Sequence, residues 1–193
     1  MKKQIKTQLT TLALASGLAF ATVAAPNAAT AAEFDIDSGH TFVVFNVGHF
    51  GVGKAYGMFL KTTGSFDTSA NKLDVTIDAN SVFTGDKKRD DHLKGPDFFN
   101  AKQFPKITFK SKKVAAKGNK LTITGDLSIK GKTQSVTFEM TKIGEGKDPF
   151  GNIRAGYEGK LTINRMDFGM NYMPDGLSKD VTLALAVEGI KKK

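Results

Sequence analysis

Over most of the chain beyond residue 40, apolar and polar positions alternate. This is the spacing of strands with one face in a core and one in water. Leu73, Val75, Ile77 and Ala79 share one face, against Asp74, Thr76, Asp78 and Asn80. Leu121, Ile123, Leu127 and Ile129 alternate with Thr122, Thr124, Asp126, Ser128 and Lys130. After Gly131 the pattern resumes with Val136, Phe138 and Met140, so the glycine marks a hairpin turn. The pattern predicts further strands near 41–47, 55–66, 106–114, 152–167 and 181–187, about eight in all, joined with one exception by short turns. Meandering antiparallel strands of that number close into a barrel and leave no open edge. The fold class expected is therefore all-β: an eight-stranded antiparallel barrel.

The exception is the stretch 87–105, dense first in charge and then in phenylalanine. Asp86 is a helix cap by type, Gly95 a stop, and Pro96 follows it. The spacing predicts a short helical crossover capping one end of the barrel. On it Lys87/Asp91 and Asp90/Lys94 form pairs facing water. Arg89, His92 and Leu93 fall on the other face, turned toward the barrel or sitting at the edge of an ordinary amphipathic connection. Phe98, Phe99 and Phe104 are expected to seat the crossover on the barrel end.

The polar faces carry Asp, Lys and Thr, which suit water. A membrane barrel would instead turn its apolar face to lipid. Both faces of the first strand are apolar: Phe42 and Val44 on one, Val43, Phe45 and Val47 on the other, with His49 continuing the second. One face is expected to pack on the crossover and the other to line an interior. An eight-stranded barrel can hold one small ligand. Its inward residues here are almost all Val, Ile, Leu, Phe and Met.

Residues 1–31 change the compartment. Lys2, Lys3 and Lys6 precede an uncharged apolar stretch from residue 9 to 25, and Ala29-Thr30-Ala31 supplies small residues for cleavage. This reads as a signal peptide, leaving a mature domain over 32–193. The 193-residue chain has no cysteine, so packing alone holds an exported domain and thiolate chemistry is excluded. Residues 1–31 hold three lysines and no acid, so the formal charge falls from +9 to +6 on cleavage. That charge outside the cytoplasm favours anionic lipids or ligands over nucleic acid.

Candidate chemistry is sparse. The segment 48–55, GHFGVGKA, approaches a phosphate-binding loop but puts Ala55 where a hydroxyl must hold magnesium, and no helix follows. His40, His49 and His92 with Asp90 could form a zinc site, but His40 falls on the face opposite His49. No GxSxG stretch is present for a hydrolase. Arg165 continues the apolar face of Leu161 and Ile163, so it needs a partner, either Asp167 or an anionic ligand head. Beyond it the apolar residues shift to Met166, Phe168 and Met170, which predicts a bulge.

Several stretches together carry a resemblance: IDSGHTFVVF over 36–45, Asp90-Asp91-His92-Leu93, DFFNA over 97–101, Phe104-Pro105, GDLSIKG over 125–131 with Val136-Thr137, and Arg165-Met166-Asp167-Phe168-Gly169. The mature chain resembles the YceI family of periplasmic polyisoprenoid-binding proteins. The family often has serine where this chain has Thr41. The resemblance implies a lipocalin-like barrel whose tunnel holds a long isoprenoid or similar amphiphile, such as a polyprenyl phosphate or a quinone. It implies a periplasmic binding or carrier role rather than an enzyme. An enzyme acting on isoprenoid lipids and a stress or adhesion barrel without a dedicated ligand are the alternatives. The residues expected to face the ligand are Val43, Phe45, Val47, His49, Arg89, His92, Phe98, Phe99 and Arg165. No catalytic residue, metal or cofactor is expected beyond the lipid itself. Transient contact with an anionic membrane surface and a homodimer complete the expected partners, without nucleic acid.

Overall fold

The computed structural model describes residues 32–68 and 70–193; the expected signal peptide lies outside the described residues. The strands are β1 (Glu33–Ile36), β2 (Phe42–His49), β3 (Gly53–Phe59), β4 (Thr62–Asp67), β5 (Lys72–Asp78), β6 (Val82–Phe83), β7 (Lys106–Lys117), β8 (Lys120–Ile129), β9 (Lys132–Lys147), β10 (Ile153–Asn164) and β11 (Leu177–Lys191). Helix α1 (Lys87–Lys94) lies between β6 and β7. All pairings are antiparallel, and β11 pairs with β10 on one side and with both β1 and β2 on the other. The sheet therefore closes on itself. β1 with β2, β3 with β4 and β5 with β6 are halves of three longer rails. Counted as rails, the wall is the expected eight-stranded barrel.

The three interruptions lie side by side, and side chains take over the lost ladder bonds. At the first, the Asp37 carboxylate accepts from Gly39 N at 3.0 Å, and Ser38 Oγ accepts from Thr62 N at 3.3 Å on the next rail. At the second, Leu60 N and Lys61 N donate to the carbonyl and hydroxyl of Ser81, both at 3.1 Å. At the third, Asp78 caps the 3-10 turn Ala79–Ser81 by accepting from Asn80 N at 2.9 Å. These backbone donors keep partners where the ladder is lost, as burial requires. The alternation predicts an unbroken strand over 55–66 and no strand over 33–36, and the structure corrects both.

Inward positions follow the pattern read from the sequence. Ile77, Ile123, Leu127, Phe138, Met140, Leu161 and Ile163 are buried. Two glycines make room for this interior. Gly57 lies opposite Phe45, and a Cβ there would fall 2.3 Å from the Phe45 ring. Gly131 ends the expected hairpin with φ of 73°, and Phe104 packs beneath it. Helix α1 is capped as expected, with Asp86 accepting from Arg89 N at 2.7 Å and Gly95 N donating to His92 O at 2.9 Å. Lys87 and Asp91 pair at 2.5 Å on its exposed face.

Three expectations are corrected. Asp90 does not pair with Lys94 in water: it is buried and accepts from Thr84 N at 2.8 Å and Thr84 Oγ1 at 2.6 Å. It satisfies the end of β6, where no further strand does. The outer face of β2 does not pack on the crossover. Phe42 is 44% exposed, and Val44 lies in a register row with Met58, Phe83 and Ala184 on the outer wall. The crossover instead fills the gap where β6 has no β7 partner, with Phe99 edge-on to Phe59 at 5.4 Å. Finally, β10 ends at Asn164 and Arg165–Phe168 is a 3-10 turn rather than a bulged strand. Asn164 caps it by accepting from Met166 N at 3.0 Å, and Gly169 ends it with φ of 73°. The register shift in this strand lies earlier, at Gly156/Tyr157.

Arg154 ties the opposite end together. It donates to Asp37 and Asp148 at 2.8 Å each and to Glu188 at 2.6 Å. The guanidinium holds the Asp37 carboxyl down at about 2 and Asp148 well below the carboxylate range. A folded pKa below the unfolded one stabilises above the unfolded value and stops doing so as pH falls through the folded one. Wild-type stability should therefore fall between pH of about 4 and about 2. In Arg154→Gln that portion of the curve should flatten. Thermal melts across this range check it, and parallel curves for the two proteins would refute it.

Candidate functional site

A cavity of about 680 Å³ runs down the barrel from the α1 end. Its walls are the inward faces of β2–β5 and β7–β11, and its mouth is framed by the β2–β3 hairpin, α1 and the segment 170–177. Val43, Phe45, Val47 and His49 descend one wall at the spacing of alternate strand positions. Arg89, His92, Phe98, Phe99 and Arg165 reach the same space, so the structure brings all nine expected residues together around it. Phe104 does not reach it and instead packs below the β8–β9 turn.

The walls are apolar and the mouth is cationic. Arg89 Nε and Nη2 donate to Thr84 Oγ1 and Thr84 O at 2.8 and 2.9 Å, and the side chain stays exposed. His92 Nε2 lies 2.9 Å from Asp97, and its ring meets Phe98 at 5.1 Å and Tyr172 at 4.9 Å. Lys130 Nζ donates to Pro96 O at 2.7 Å and Gly169 O at 3.0 Å, tying the crossover to the neighbouring loop. Burial pushes the Lys130 ammonium down from its usual value. On the hairpin, Phe50 and Val52 stand 57% and 87% exposed beside the mouth. The phosphate-loop resemblance of 48–55 dissolves here, because the segment is a hairpin whose Gly48 and Lys54 pair across two strands.

Arg165 is 2% exposed, yet its partner is not Asp167. Its Nε donates to Ser178 O at 2.8 Å. One Nη donates to Tyr172 O at 2.9 Å and to Met170 O, and the other to Leu177 O at 3.0 Å and Met173 O at 3.4 Å. All five N–H groups thus go to backbone carbonyls, three in the loop after the 3-10 turn and two in the first residues of β11. Among the described residues no carboxylate neutralises the charge, and burial lowers its pKa. Asp167 points elsewhere because the 3-10 turn has rotated it. The three-histidine arrangement also fails: His49 and His92 face the mouth, whereas His40 pairs with Asp37 at 2.8 Å near the far end. Asp37, His40 and Glu188 bring ligand atoms within 4.8 Å of one another, but the two carboxylates already grip Arg154.

Sequence reasoning missed Tyr172 and Met173, which lie in a loop without periodicity, and Thr62. The Thr62 hydroxyl is buried in the cavity wall and has no hydrogen-bond partner among the described residues. Its outward neighbour Thr63 reads the same in sequence, so no signal separated them.

The sequence profile of a YceI-like domain matches residues 34–189. The chain belongs to the YceI family. A UPF0312 protein of Pseudomonas aeruginosa is 40% identical over 97% of this chain and 100% of its own length. Protein YceI of Salmonella arizonae is 40% identical over 86% of this chain and 90% of its own. Among solved structures, BcnA of Burkholderia cenocepacia covers 79% of this YceI chain and 98% of its own, with 28% identity and a TM-score of 0.70. A polyisoprenoid-binding domain from Saccharophagus degradans shares the fold with a TM-score of 0.64 at 15% identity, over 82% of this chain and 98% of its own.

Proposed function

We propose that this YceI-family protein is a periplasmic binding or carrier protein that holds a long-chain isoprenoid or a similar amphiphile. The observation that carries this reading is the cavity of about 680 Å³, apolar along its walls, with Arg89 and His92 at its mouth. That volume lies within the range for small-molecule sites, and the division suits an apolar tail with a polar or anionic head. The shared fold with a domain described as polyisoprenoid-binding supports it. The signal-like pattern of residues 1–31 supports export. Binding is favoured over catalysis because the cavity is apolar along its length and, among the described residues, its lining contains no Asp, Glu or Ser. Native mass spectrometry of purified protein, before and after solvent extraction, tests the reading. A long-chain apolar adduct that extraction removes is expected. No adduct, together with no uptake of added polyprenol, would favour a barrel without a dedicated ligand.

Contact with a membrane surface belongs to the same proposal. Phe50 and Val52 project beside the mouth, and Lys54 follows on the same hairpin. Apolar tips flanked by cations seat in the interfacial layer of a bilayer. Replacing both Phe50 and Val52 by serine should slow lipid uptake from vesicles several-fold and leave equilibrium affinity unchanged. Stopped-flow transfer against equilibrium titration separates the two, and an unchanged transfer rate would remove the hairpin from the proposal.

A further inference from the structure

Two cavities lie end to end inside the barrel. Beyond the large one, a second of about 100 Å³ occupies the far end, beside the turn between β4 and β5. Phe66, Ile123, Tyr157 and Ala116 contribute to its walls. Three residues, Leu73, Met140 and Val187, line both cavities and so form the septum between them.

The three are not equally movable. Leu73 has one rotatable side-chain bond fewer than methionine, on a backbone held where its N–H donates to Ser111 Oγ at 2.8 Å. Val187 is β-branched and sits opposite Tyr157. Met140 is unbranched, has three rotatable bonds and fills irregular space readily. It is 3% exposed and pairs with Gly159 on β10. A Cβ at Gly159 would fall 2.5 Å from Met140 Sδ, so the thioether lies across the place that a side chain at 159 would take. The septum is thus one flexible side chain resting in a glycine notch, between two stiffer neighbours.

We propose that Met140 sets the longest tail that the barrel accepts. This rests on the carrier reading above and adds to it the residue that measures the ligand. A tail entering at the mouth runs down the apolar walls and ends against the Met140 thioether. A longer tail needs the second cavity, which the thioether closes off. The lining on both sides is apolar at the septum, so the discrimination is by length and not by polarity.

The test uses full mature protein and a graded series of polyprenols, from farnesol upward by single isoprene units, titrated by competition and checked by native mass spectrometry. In wild type, affinity should rise with length and then break. In Met140→Ala the break should move to longer chains, and chains beyond the wild-type limit should bind at least about tenfold tighter, while farnesol changes by less than about twofold. Met140→Val, a smaller truncation less disruptive to folding, should give an intermediate shift. Ala116 is exposed and lines only the far cavity, so Ala116→Phe in the Met140→Ala background should return the break to its wild-type position. A break at the same length in all four proteins overturns the role of Met140. So does a uniform change across all lengths, which would report a general loosening of the core. Uptake of no polyprenol by wild type would overturn the carrier reading itself and this inference with it.

Discussion

Replacing Arg165 by methionine is expected to lower the melting temperature by about 6–12 °C and to weaken the binding of phosphorylated and uncharged polyprenols together. The substitution keeps length and removes all five donors, so the carbonyls of Met170, Tyr172, Met173, Leu177 and Ser178 lose their partner at once. A buried polar group left unpaired costs about 1–3 kcal/mol, and those nearest the mouth recover water. A net loss of about 3 kcal/mol follows, at about 2–4 °C per kcal/mol for a domain of this size. Because that loop frames the mouth, its loss should affect both ligands. Arg165→Lys should recover only part, since an ammonium has three donors and no planar fork. Differential scanning calorimetry and parallel titrations decide it. An unchanged melting temperature with a loss confined to the phosphorylated ligand would show that the charge serves a head group instead of the loop.

Placing a carboxylate in the apolar wall should have the largest effect on binding. In Phe45→Asp the charge sits in the cavity and must either keep its water or lose it to a tail. Desolvating a carboxylate costs several kcal/mol, so lipid retention should fall by about 100-fold or more. The fold should survive better than with a charge in a filled core, because the cavity has room for water around the carboxylate. Val43→Asp, one step along the same face, should behave alike. Circular dichroism confirms the fold and native mass spectrometry reads the lipid. A well-folded variant with unchanged lipid content would place the ligand elsewhere.

What the sequence made legible was what depends on periodicity. Alternation alone places Val43, Phe45, Val47 and His49 on one wall, because successive strand residues point to opposite faces. The caps of α1 and the turn at Gly131 follow from residue types with one strong local preference. What escaped depends on long-range partners. Asp90 is two residues from Lys88 and four from Lys94, yet bonds the end of β6. Arg165 has an acid two positions away, yet spends its donors on carbonyls of a loop that reads as unstructured and of the start of β11. Ser38 and Ser81 look like ordinary outward residues, and nothing local reveals that they stand in for missing ladder bonds. Met140 reads as one more inward residue until a second cavity appears behind it.

The three aligned interruptions have a consequence for how the wall breathes. They cut β2, β3 and β6 from the panel below, and β6 has no ladder to β7. That upper panel is held by one hydrogen-bonded edge, between β2 and β11, and by contacts such as Phe59 on Phe99. Its local opening requires far less than global unfolding. Amide hydrogens of β3 and β6 should therefore exchange ahead of those in β8 and β10, which are paired along both sides. A panel hinged on β11 in this way widens the mouth sideways as it opens, so a tail entering there passes a wider gap than the closed wall leaves.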